Sequence, residues 1–134
     1  MTAKIQITEL NNSGDARGFR FAAPAEATAF VERMADVHLA STERRAVPGN
    51  HYHHHLRRRE AIVVLPGAKW SFHWDEGEGS LTQHREFDCS RAVLVLVSPG
   101  ASQAVRNEGD ANLWLVAISS ETYDPAESVA RKVV

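Results

Sequence analysis

The chain has 134 residues, 43% of them hydrophobic, with 15 Lys and Arg against 17 Asp and Glu, for a net charge of -2. That length suits one domain with a sizeable core, and the near balance of charge argues against a nucleic-acid binder held by bulk electrostatics. The single Cys89 cannot form an internal disulfide, no run approaches the ~18 apolar residues of a membrane span, and residues 1–6 lack a signal-peptide core. A soluble protein of a reducing, cytoplasmic compartment is the expectation.

In chain order, Ile5 and Ile7 alternate as a short first strand. Asn11 to Asp15 is a turn cluster, and Phe19-Arg20-Phe21 reads as another short strand. From Pro24 to Met34 the pattern turns Ala- and Glu-rich, with Ala27, Phe30, Val31 and Met34 at helical spacing. A helix over 24–34 is predicted, Pro suiting its start. Beyond it, strands dominate. Val37, Leu39 and Ser41 alternate with His38, Ala40 and Thr42. Ala61 to Leu65 is an apolar run closed by Pro66-Gly67. Lys69 to Trp74 sets Trp70, Phe72 and Trp74 on one face. Asp75 to Ser80 is an acidic loop, Glu86 to Cys89 a short strand, and Ala92 to Val97 a β-branched strand ending at Pro99-Gly100. Gln103 to Arg106 leads into the turn Asn107-Glu108-Gly109-Asp110, and Asn112 to Ser119 is the last long strand. The tail 122–134 reads as irregular, with a helical turn near Pro125. Short strands punctuated by Gly and Pro predict an all-β sandwich or barrel over 37–119.

The richest segment is Gly49-Asn50-His51-Tyr52-His53-His54-His55-Leu56-Arg57-Arg58-Arg59-Glu60. On a strand His51, His53 and His55 share a face and His54 takes the other. Three imidazoles with Glu60 returning on the next strand suit either a divalent-metal site for Zn, Fe, Ni or Mn or an acid/base pocket, since imidazole exchanges protons near neutral pH. Arg57, Arg58 and Arg59 suit phosphate through bidentate hydrogen bonds, or form a solvated basic turn. Trp70, Trp74 and Trp114 read as core, and His38, His73 and His84 as structural or exposed. Asp15 and Arg17 read as an ion pair.

These residues resemble a known family. His53-x-His55-x4-Glu60-x6-Gly67 is similar to the first motif of cupins, the small jelly-roll barrels, and Gly49-Asn50-His51-Tyr52-His53 resembles the wording of its sugar-nucleotide members. Those are the dTDP-4-dehydrorhamnose 3,5-epimerases, the dTDP-hexose ketoisomerases and the C-terminal cupin of capsular polysaccharide reductases. Ser98 to Asp110 is similar to the second motif, Asp15-Ala16-Arg17-Gly18-Phe19 to an epimerase opening, and Tyr123-Asp124-Pro125 to the end of the capsular cupins. The resemblance implies a single-domain jelly roll with one N-terminal helix, a homodimer, and an epimerase or isomerase acting on nucleotide-linked sugars in deoxysugar or cell-surface polysaccharide synthesis. It implies His51 or His53 as base, and a metal set of His53, His55, Glu60 and Gln103, or in the alternative register His51, His53 and Glu60. Gln103 stands where the family has histidine, and Pro48 where it has an arginine that helps hold the substrate, leaving Arg44, Arg45 or Arg57 for that charge. Tyr52 and Tyr123, the only tyrosines, leave the general acid unplaced. Two further readings stay open: a metal-dependent cupin oxygenase or isomerase on another small molecule, and a noncatalytic sugar-binding or dimerisation module.

Overall fold

The computed structural model describes residues 3–46, 53–55, 57–77, 79–122 and 128–130, and of 53–55 and 128–130 the backbone alone. Its elements in chain order are β1 (Ile5–Glu9), α1 (Ala25–Val31), β2 (Asp36–Thr42), β3 (His53–His55), β4 (Glu60–Val64), β5 (Trp70–Asp75), β6 (Gln83–Phe87), β7 (Val93–Val97), β8 (Ser102–Asn107), β9 (Leu113–Ser119) and β10 (Ser128–Ala130). They form two five-stranded sheets, one in the order β1-β7-β4-β9-β2 and the other β10-β3-β8-β5-β6. Every pairing is antiparallel. This is the jelly-roll sandwich of the cupin type, mostly strand with one short helix.

Strand parity explains how the layers form. In β7 the valines Val93, Val95 and Val97 face the opposing sheet, while Leu94 and Leu96 face the other way. Both sets are buried, because the second face is roofed by α1. The helix lays Ala27 and Val31 over Ala61, Leu94 and Leu96, with Phe21 and Phe30 at the margin. The inner layer joins Ile62, Val64 and the β7 valines to Trp70, Phe72, Phe87 and Val105. Trp70 is fully buried and stacks on Phe87 with ring centres 4.3 Å apart.

The helix stops three residues short of the expected Met34. Glu32 takes a left-handed backbone (φ 63°), which ends the helical hydrogen bonding, and Met34 is left exposed. Phe19 to Phe21 is not a strand. Asn12 Oδ1 instead accepts the N–H groups of Gly14 and Arg20, both at 2.8 Å, and folds the segment into a loop. Within it Arg17 grips Asp15 at 2.7 Å, the expected pair. The sheets also extend past 37–119: β1 pairs with β7, and β10 in the supposedly irregular tail pairs with β3. A three-residue strand carries too little local pattern to be read. The helical turn expected near Pro125 lies outside the described residues. Trp114, expected in the core, is 52% exposed because β9 turns it outward. Asn107 explains its place in the second motif. Its Nδ2 donates to the carbonyls of Thr42 (2.9 Å) and Ala111 (2.8 Å), and its Oδ1 accepts from Gly109 N–H, fastening the β8–β9 turn.

Trp70→Ala removes the largest wholly buried side chain and is expected to cost about 3–5 kcal/mol in urea denaturation. Leu81→Ala, at a side chain 84% exposed, should stay within about 0.5 kcal/mol.

Candidate functional site

The space between the sheets is apolar at one end and polar at the other. Along β4, Glu60, Ile62 and Val64 share the inward face. Ile62 and Val64 enter the core, so Glu60 carries a carboxylate inward at the strand's first position, and it is only 7% exposed. Its Oε2 accepts a hydrogen bond from Ser119 Oγ at 3.1 Å, and its Oε1 lies 3.4 Å from Gln103 Nε2. Arg58, two residues earlier and equally buried, places its guanidinium 3.9 Å from Oε2. Trp74, partly buried against the core, is the register partner of Gln103 on β5.

The three arginines that lead into β4 take different surroundings. Arg58 turns inward to Glu60. Arg59 is half-buried, meets Glu32 at 3.2 Å, donates its backbone N–H to Ser120 Oγ and accepts the Ser120 N–H at its carbonyl. Arg57 is exposed. The Arg57–Arg59 turn is therefore three different environments. On the opposing sheet the backbone of His53 stands opposite Gln103 in the β3–β8 register, with His54 opposite Ser102. His53 is common to both readings of the histidine motif. His51, Tyr52 and Tyr123 lie outside the described residues, as do the side chains of His53, His54 and His55. Ser119 was not anticipated; its signal is parity, since Leu113, Leu115, Ala117 and Ser119 take alternate places along β9 and the first three enter the core.

Burial pushes the Glu60 carboxyl above the ordinary value of 4.5, against the pull of Arg58 and Ser119. Glu60 and Gln103 are the two expected metal ligands with described side chains. Gln103 turns an amide donor to Glu60, and a guanidinium already faces the carboxylate. Among the described residues no three His, Cys, Asp or Glu side chains converge. Elsewhere, His38 is exposed and pairs with Asp36. His73 stacks on His84; burial, then His84, hold His73 below the usual imidazole range.

No family model and no curated protein matches the sequence. Solved structures do match. ChmJ, a 3'-monoepimerase from Streptomyces bikiniensis in complex with dTDP-quinovose, superposes with a TM-score of 0.76 at 22% identity, over 97% of this chain and 71% of its own. NovW, a 4-keto-6-deoxy sugar epimerase from Streptomyces spheroides, gives 0.75 at 21% identity over 95% and 68%. A histidine-to-asparagine mutant of the 3,4-ketoisomerase QdtA from Thermoanaerobacterium thermosaccharolyticum, in complex with TDP-4-keto-6-deoxyglucose, gives 0.67 at 13% over 96% and 88%. The chain thus has the jelly-roll fold of the sugar-nucleotide cupins.

A raised folded pKa means that the native state holds the extra proton between pH 4.5 and that pKa. The contribution of Glu60 to stability is therefore full below pH 4.5 and is lost as pH rises through the folded value. Carboxyl carbon NMR should place the Glu60 midpoint above 4.5. Arg58→Met should move it higher still, because the leading counter-charge is gone. A midpoint at or below 4.5 would contradict the placement.

Proposed function

We propose that this protein is an epimerase or isomerase of nucleotide-linked keto sugars, acting in deoxysugar or cell-surface polysaccharide synthesis in the cytoplasm. The observation that carries the reading is the group of buried Glu60, Arg58 and Ser119 with part-buried Gln103, at one end of the apolar core. It lies in a fold shared with enzymes of that class. A few convergent polar groups set against apolar surroundings are the usual makings of a small-ligand site.

In this mechanism His51 or His53 takes the proton from the carbon beside the sugar carbonyl. The C–H electron pair moves into an enolate; for epimerisation solvent water delivers a proton to the carbon from the opposite face, and for isomerisation the imidazolium returns its proton to the neighbouring carbon. No oxidant or reductant is needed. The imidazole is suited to the exchange because its ordinary pKa lies near neutrality. Arg58 supplies positive charge where the enolate oxygen forms, and Glu60 keeps that guanidinium in place. Arg57, exposed at the approach to β4, meets the diphosphate. No helix among the described residues is long and apolar enough to cross a membrane.

The reading extends to a homodimer. β2 is an edge strand, and Val37 and Leu39 on it, with Trp114, are exposed at 48%, 75% and 52%. Val37, Leu39 and Ser41 share the outward face with Trp114, the partner of Ser41. A bare edge carrying an apolar face invites pairing, and a second copy of this strand would cover both. Leu39→Lys should convert a dimer to a monomer in sedimentation velocity; a wild-type monomer would contradict this part.

In D2O, dTDP- or UDP-linked 4-keto sugars should gain deuterium at carbons beside the carbonyl. His51→Asn or His53→Asn should slow the exchange about 100-fold or more. Binding without exchange across such a panel would contradict catalysis and favour a sugar-binding module.

A further inference from the structure

The outward face of β5 and β6 carries a second polar cluster that the proposed reaction does not use. Trp70, Phe72 and Trp74 take the inward positions of β5, so Ser71 and His73 lie on the other side. His73 stands directly opposite His84 in the β5–β6 register. Their ring centres are 5.6 Å apart, with planes 16° from parallel. Ser71 Oγ lies 2.8 Å from His73 Nε2 and 2.9 Å from Glu108 Oε1.

The proton inventory fixes the tautomer. A hydroxyl has one proton, and a carboxylate only accepts. The Ser71 proton therefore goes to Glu108, and His73 must donate its Nε2–H to Ser71 Oγ. The lone pair is left on Nδ1. Metal-binding imidazoles are held this way, one ring N–H tied to an acceptor and the other nitrogen presented to the ion.

We propose that His73 Nδ1 and a ring nitrogen of His84 bind one borderline divalent ion, Zn2+, Ni2+ or Cu2+, across the β5–β6 pair. Ser71 and Glu108 hold His73 in register, and water fills the remaining positions. Imidazole suits these ions. A metal lies about 2.0–2.1 Å from each nitrogen. With each ring centre about 1.1 Å behind its nitrogen, two imidazoles at a tetrahedral angle hold their centres about 5 Å apart. The observed 5.6 Å needs a small closure and a turn of one ring, and His84 is exposed at the sheet edge and able to make both. Glu86, opposite Ser71, and Glu108 supply negative charge. Arg106, 3.3 Å from Glu108 Oε1, offsets one of them. No third ligand joins the pair among the described residues, so the site is open and exchangeable.

The test is calorimetric titration of untagged, chelator-treated protein with Zn2+ and with Ni2+. One ion per chain is expected. His84→Ala should abolish saturable binding, and Glu108→Gln, which loosens the hold on His73, should weaken it about 10–100-fold. His53→Ala and His55→Ala should leave it unchanged. No saturable binding, or binding that survives His84→Ala and disappears with His53→Ala, would overturn the proposal. Because His84 is exposed, its replacement leaves the fold intact, which circular dichroism checks.

Discussion

A carboxylate facing inward between two sheets cannot stand alone. Removing it from water costs several kcal/mol unless a counter-charge and hydrogen bonds replace the lost hydration. Glu60 sits at an inward position because parity on β4 leaves it no other, and its neighbours answer that demand. Arg58 arrives by the same parity two residues earlier, Ser119 by the β4–β9 register, which sets it directly across from Glu60, and Gln103 from the opposing sheet. The far end of the interior needs none of this, since Val64, Val93, Trp70, Phe87 and Leu113 close it with apolar side chains. The result is one polar end and one dry end, and the polar end is the candidate site.

The sandwich architecture was legible because its strands are bounded by strong turn chemistry and carry clean alternation. Ala61 to Leu65 and Ala92 to Val97 declared themselves as buried strands, and the Trp70-Phe72-Trp74 stripe as an inward face. What failed was decided by contacts distant in sequence. The strand at Ser128–Ala130 exists because its backbone pairs with His53–His55, and the early helix end rests on the backbone of one residue, Glu32. The meeting of Glu60 and Gln103 was legible from motif spacing. The division of Arg57, Arg58 and Arg59 was not, because the motif fixes composition while the inward or outward sense of each position follows from where β4 begins. Ser119 carries no chemical signature of its own and becomes visible only when β9 is laid beside β4.

The fold itself hosts many chemistries, so the weight of the functional account falls on this polar end. Gln103 in place of a histidine gives Glu60 an amide neighbour, and Arg58 gives it a cation. Together they leave the carboxylate compensated by one cation and two polar neighbours. The outward His73–His84 pair stands on the other face of the β8–β5–β6 sheet, separated from this polar end by the strand alternation of β5. The two clusters can therefore be examined one at a time.

The most direct measurement is amide and indole NMR of the 15N-labelled protein titrated with a dTDP-linked sugar. The account predicts saturable shifts at the Trp74 indole and the Gln103 side-chain amide, with the Trp114 indole unmoved. Shifts confined to Trp114 and the outer faces, or none at millimolar ligand, would contradict an interior sugar-nucleotide site.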